Sequence, residues 1–198
     1  MPFLLAEILN FQCALHLKGV GSLSYFILGD ILLLESWKED NNLSTNLAEE
    51  FTQNESGDRV FNEGIVIPMS RIANYPYTVL FHLSDDSPEL CKETNRLQFR
   101  RGTYSLKVEN NMLMLFTWRV LEEFTRDNIE KWLDYYKHNK RPVIELPNGW
   151  YDIEILAGET LQDGFYEPTF EFLIKEAKKA NPIKPDINLS FGIISSSY

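Results

Sequence analysis

The run MLMLFTWRV, Met112 to Val120, is apolar at nearly every position, and this limits the folds open to the chain. A strand with one wet face alternates; a strand that does not alternate has to be covered on both faces. The segment therefore belongs in the middle of a sheet with one layer above it and another below. The segment TRDNIEKWLDYYKHNK supplies one cover. Thr125 is a good N-cap, Asp127 sits in the first turn, and Lys137 and Lys140 load the C-terminal end. Ile129, Trp132, Leu133 and Tyr136 follow i, i+3, i+4, i+7 spacing, so one stripe faces a core.

The rest of the chain supplies strands. GIVIPM and YPYTVLFHL read as two, with Tyr77, Val79 and Phe81 alternating in the second. Residues 3–17 and 23–37 read as a first hairpin. Within it the run Ile31 to Leu34 is too continuous for a half-wet strand, so it is buried on both sides or ends in a short helix. Asn110-Asn111 suits a tight turn, because Asn tolerates positive φ. The stretch 165–180 is open between strand and helix; the alternation of Phe170, Phe172 and Ile174 favours a strand to about Ile174, then a helical turn. The segment INLSFGIISSSY supplies a last strand, frayed at the serines. The chain thus reads as a β-rich α+β protein, a mainly antiparallel sheet or sandwich of hairpins. One amphipathic helix, at about 125–140, packs on it. At 198 residues and 44% hydrophobic content a single domain, 1–198, is expected. The polar stretch 38–64 reads as a surface loop, an insertion or sub-domain boundary, with a short helix at 46–53 and acidic residues serving solvation.

Two segments share one pattern. LQFRRGTYSLKV (Leu97 to Val108) and IELPNGWYDIEI (Ile144 to Ile155) both read apolar-x-apolar-x-x-Gly-x-Tyr-x-apolar-x-apolar. The reading is of two hairpins turned at Gly102 and Gly149, each glycine supplying positive φ. Their charges are opposite. Lys92 to Lys107 holds five basic residues and one acidic, net +4; Arg141 to Glu176 holds two basic and eight acidic, net −6. The two either face each other as cross-strand ion pairs or form separate basic and acidic patches. The second patch comprises Arg96, Arg100 and Arg101. The acidic one comprises Trp150, Asp152, Glu154 and Glu159, an aromatic anchor ringed by charge.

The overall charge is −10, which disfavours nucleic acid and favours a basic protein partner. No cofactor motif and no metal-ligand spacing is present; Asp85, Asp86 and Glu89 could ring a Ca²⁺ but read better as turn and cap. The histidines His16, His82 and His138 have no nucleophile signature beside them, and His82 reads as an ordinary strand-edge residue. Cys13 and Cys91 read as small buried hydrophobes in a reducing compartment. The apolar start is interrupted by Pro2 and Glu7 and lacks a basic residue ahead of it, and no apolar run approaches the ~20 residues of a membrane span. A cytoplasmic protein without membrane contact is expected.

These observations point to a non-enzymatic acidic interaction module. It would be an inhibitor or immunity-like protein of bacterial type that meets a basic partner through the Gly149 hairpin face, with self-association through the oppositely charged hairpins as a variant. The alternative is a hydrolase or carbohydrate-active module using Asp152 and Glu154, which stand i, i+2 on one strand face.

Overall fold

The structure, a computed structural model, describes residues 9–14 through the backbone and residues 25–83, 86–181 and 189–198 in full. His16, Asp85 and the side chain of Cys13 lie outside the described residues. The strands are β1 (Leu9–Ala14), β2 (Phe26–Gly29), β3 (Val66–Met69), β4 (Pro76–His82), β5 (Arg96–Val108), β6 (Met112–Thr117), β7 (Val143–Glu145), β8 (Gly149–Gln162) and β9 (Phe165–Ala177). The helices are α1 (Ile31–Asp40), α2 (Leu47–Gln53), α3 (Ser56–Asn62) and α4 (Arg126–His138), with 3₁₀ turns at Glu89–Cys91 and Trp118–Leu121.

Three layers result. An outer sheet runs β1-β4-β9-β8-β5, antiparallel except for the parallel β4–β9 pair, and a middle sheet runs β3-β2-β6-β7. The helices cover the far side of the middle sheet. Leu113 and Leu115 of β6 point into the core shared with Tyr77, Val79, Ile153 and Phe172 of the outer sheet. Met112, Met114 and Phe116 point the other way, against Leu34, Leu47, Ile129 and Tyr136 of the helices. This is the two-sided cover that the unbroken run demanded. The fold is α+β and β-rich, with α4 packed as expected: Thr125 accepts from the Asn128 amide, and Ile129 and Tyr136 are buried. Arg126 Nη1 then ties α4 to Glu35 of α1 at 2.5 Å.

Of the two fates open to the Ile31–Leu34 run the helical one is taken: it starts α1, capped by Asp30, whose Oδ1 accepts from the Leu32 and Leu33 amides at 3.1 Å. The other carboxylate oxygen of Asp30 accepts from the Glu109 and Asn110 amides at 3.0 and 2.8 Å, so one buried residue pins α1 to the β5–β6 turn. In that turn Asn111 does take positive φ, 52°. Other local expectations give way. Among the described residues of the expected first hairpin, β1 pairs with β4 in the outer sheet while β2 lies in the middle one, so the two are not partners. The stretch 38–64 is not one loop: it holds the end of α1, the helix expected at 46–53, which is α2, and α3. Asn46 caps α2 through the Glu49 amide, and α3 ends in a Schellman motif at Gly64, φ +70°. β9 continues through Ala177 with no helical turn after Ile174. Residues 189–198 form no strand beyond one bridge from Ser190 to Ser70, yet Phe191 and Ile193 are buried between the sheets. Cys91 is exposed rather than buried.

The two look-alike segments are not hairpins. LQFRRGTYSLKV lies within the single strand β5, and IELPNGWYDIEI crosses from the middle sheet (β7) to the outer one (β8). Neither Gly102 nor Gly149 has positive φ. Gly102 and Thr103 oppose Glu154 alone, a β-bulge, and a Cβ on Gly102 would stand 2.9 Å from Glu154 Cγ.

Candidate functional site

The oppositely charged segments are neighbours, because β5 and β8 pair along their length. Arg100 grips Glu154 with both arms of its guanidinium, Nε to Oε1 at 2.7 Å and Nη2 to Oε2 at 2.5 Å. Arg96 reaches Glu159 at 3.4 Å and stacks on Tyr166, 3.5 Å from the ring centroid. Lys107 lies 6.0 Å from the Trp150 ring, and Asp152 stands in register with Lys175 of β9. The expectation of cross-strand ion pairs is met, and separate basic and acidic patches are not formed here.

Strand parity splits the proposed acidic set. Trp150, Asp152 and Glu154 share the outward face of β8, all half-buried. Glu159 falls on the opposite face, with Tyr151, Ile153, Ile155 and Ala157, and is only 3% exposed. There it binds residues 189–198: the Ser196 amide and hydroxyl donate to Oε1 at 2.6 and 2.8 Å. Burial works to raise its pKa, but the Ser196 donors and Arg96 outweigh it and leave the carboxyl below its ordinary value. Trp150 reaches the edge of the sheet, where a Cβ on Gly64 would touch its ring at 2.7 Å. On β5 alternation puts Arg101 on the face opposite Arg100, the face of Phe99; it is half-buried and lies 5.2 Å over the Phe99 ring.

His82 and Glu171 meet on the outer sheet, both buried, with Nδ1 3.1 Å from Oε1. The same carboxylate accepts from the Glu89 and Leu90 amides at 2.8 and 2.9 Å, so it caps the 3₁₀ turn above it. That is a structural use of a charge, in place of the local Asp86–Glu89 cap expected from sequence. His82 is the last residue of β4, at a strand end as expected, and it is buried. Glu89 itself is engaged by Lys92 and Asn95. No three metal-ligating side chains converge among the described residues. No helix among them is long and apolar enough to cross a membrane.

The acids of the 38–64 stretch, read from composition as solvation, form the second dense charge of the molecule. Between Lys38 and Gly64 stand Glu39, Asp40, Glu49, Glu50, Glu55, Asp58 and Glu63 against Lys38 and Arg59, so the net is 2 − 7 = −5, half of the chain's excess. Six of these acids are exposed and Glu50 is half-buried. Both cations are occupied: Lys38 pairs with Glu39, and Arg59 bonds Asn41 at 2.6 Å and lies 5.7 Å over Trp37. A cleft of about 160 Å³ opens beside this face, where α2 and α3 meet the β2–β3 edge. A larger groove of about 770 Å³ runs along α4, walled by Trp132 and Tyr135 with Arg119, Lys131, Glu122 and Glu123. Its charges are mixed and select neither sign. The available signal in the sequence was the Asn46-x-x-Glu49 cap spacing, which marks a folded helix where composition suggests only solvation.

The architecture is that of an acidic β–β–α sandwich. No protein-family profile matches the chain, and no curated protein sequence does. Among solved structures it has a partial likeness to a protein described as crocagin biosynthetic gene J, with TM-score 0.47 and 11% identity over 88% of this chain and 100% of that one. A second is ComJ of Bacillus subtilis, described as an inhibitor of the DNA-degrading activity of NucA, with TM-score 0.35 and 15% identity over 61% of this chain and 75% of that one. At these scores the likenesses carry no weight for function.

Proposed function

We propose that the chain is a non-enzymatic interaction protein that binds and blocks a basic protein partner, as an inhibitor or immunity-like antagonist does. The observation that carries this reading is where the negative charge is left over. On the outward face of β8 Glu154 is gripped by Arg100, while Glu159 is turned inward, so a partner there would first have to displace Arg100 from Glu154. Between Lys38 and Gly64 six of the seven acids are exposed, and the two cations pair only with Glu39 and Glu63, which leaves Asp40, Glu49, Glu50, Glu55 and Asp58 without an ion-pair partner among the described residues. An uncompensated field of this kind steers a basic protein into encounter and is screened by salt.

The test is capture from a native lysate on the immobilised chain at low and high ionic strength, with the captured proteins identified. A basic protein should be retained at low salt, released at high salt, and lost when Glu49→Gln, Glu55→Gln and Asp58→Asn are combined. Loss on Trp150→Ala with Asp152→Asn instead would move the contact to the outward face of β8. Recovery of no salt-sensitive basic protein would count against the whole reading.

A further inference from the structure

The cleft beside the acidic face has a composition of its own. Tyr25, Phe51 and Trp118 form its aromatic walls, aliphatic residues including Val60 and Pro68 add to its apolar lining, and Asp58 is the acid that lines it. Tyr25 and Trp118 lie with ring centroids 5.1 Å apart and planes 37° to each other. At about 160 Å³ it has room for one long side chain; pockets for drug-sized ligands run from roughly 300 Å³ upward. Asp58 is exposed and has no ion-pair partner among the described residues. Arg59, next to it on α3, is turned to Trp37, Asn41 and Glu63 instead. So the acid of this cleft lacks a resident cation, while its walls are the aromatic surfaces on which a cation stacks.

We infer that this cleft takes the guanidinium of an arginine presented by the basic partner proposed above, and the inference rests on that reading. Aromatic faces attract cations through the ring quadrupole, and a planar, weakly hydrated guanidinium stacks on them where a lysine ammonium keeps its water. A carboxylate at the same place adds a charge-assisted hydrogen bond, which arginine can make with two donors. The acids on the rest of α2 and α3 raise the local concentration of basic protein, and the cleft gives that attraction one fixed point. Large contact energies concentrate at such single anchored side chains.

The probe is a nine-residue Gly/Ser peptide carrying a central arginine flanked by two lysines, titrated at low salt. The readout is the indole N–H resonance of Trp118, one of four tryptophans. The arginine peptide should shift that resonance, and replacing the arginine by its neutral isostere citrulline should weaken binding about tenfold. Asp58→Asn should weaken it about fivefold, and Glu49→Gln, on the neighbouring helix, less than about twofold. Salt-sensitive binding that leaves Trp118 unmoved and is weakened equally by the two substitutions would overturn the cleft while leaving the acidic-partner reading in place. No binding of the peptide at low salt would overturn both.

Discussion

The β5–β8 strand pair and the α2–α3 helix pair are both densely charged, and they dispose of that charge in opposite ways. Strands of opposite sign lie side by side, so Arg100 meets Glu154 and Arg96 meets Glu159 across one ladder. The helices are acidic together; most of their acids face water, and the two nearby cations pair only with Glu39 and Glu63. Charge on the strands serves the fold, whereas charge on the helices is left available to something outside it.

This contrast can be broken from either side. The largest effect should come from Gly158→Ala, since a Cβ there would stand 2.0 Å from the Arg96 carbonyl oxygen. Pushing β5 off β8 is expected to cost about 3 kcal/mol by chemical denaturation. Glu159→Ala comes next. It removes the buried acceptor of the Ser196 amide and hydroxyl and should cost about 2 kcal/mol, with faster hydrogen exchange across residues 190–198. The same residue sets a pH dependence. Its folded pKa lies below the unfolded value, so its stabilisation is present above the unfolded pKa and is lost as pH falls through the folded one. Acid denaturation of Glu159→Gln should therefore be shallower over that window than that of the parent. A double-mutant cycle on Arg100 and Glu154, partly exposed, should give a coupling of no more than about 1 kcal/mol. Smallest of all, the combined Glu49→Gln, Glu55→Gln and Asp58→Asn variant should unfold within about 0.5 kcal/mol of the parent, and should err toward greater stability as self-repulsion falls.

Periodicity made the layered core legible and left the neighbours of each strand hidden. Met112 to Thr117 announces its two covers because apolarity on both faces has one physical cause. The α4 stripe and the Asn111 turn are equally local. The pattern around Gly102 is ambiguous for a physical reason: a glycine between alternating runs serves a hairpin turn or a bulge in one continuous strand. Only pairing distinguishes them, and the partner, β8, lies some fifty residues along the chain. Parity from Trp150 correctly placed Asp152 and Glu154 on one face, and the same count carried to Glu159 puts it on the other. Of the acidic helices, α2 was legible at 46–53 through Leu47 and Phe51, whereas α3 was missed because a polar stretch rich in Asn, Glu and Ser resembles a solvated loop. Its one buried apolar anchor, Val60, is too little to announce a period.

The middle sheet has one further consequence. Its ladder of β2 and β6 is wall to two cores at once, so neither core can open without taking backbone from the other. Heating should accordingly give one transition, coincident whether followed by tryptophans on the helical side or by tyrosines between the sheets. The amides of Leu113 to Phe116 should exchange only when the whole molecule unfolds.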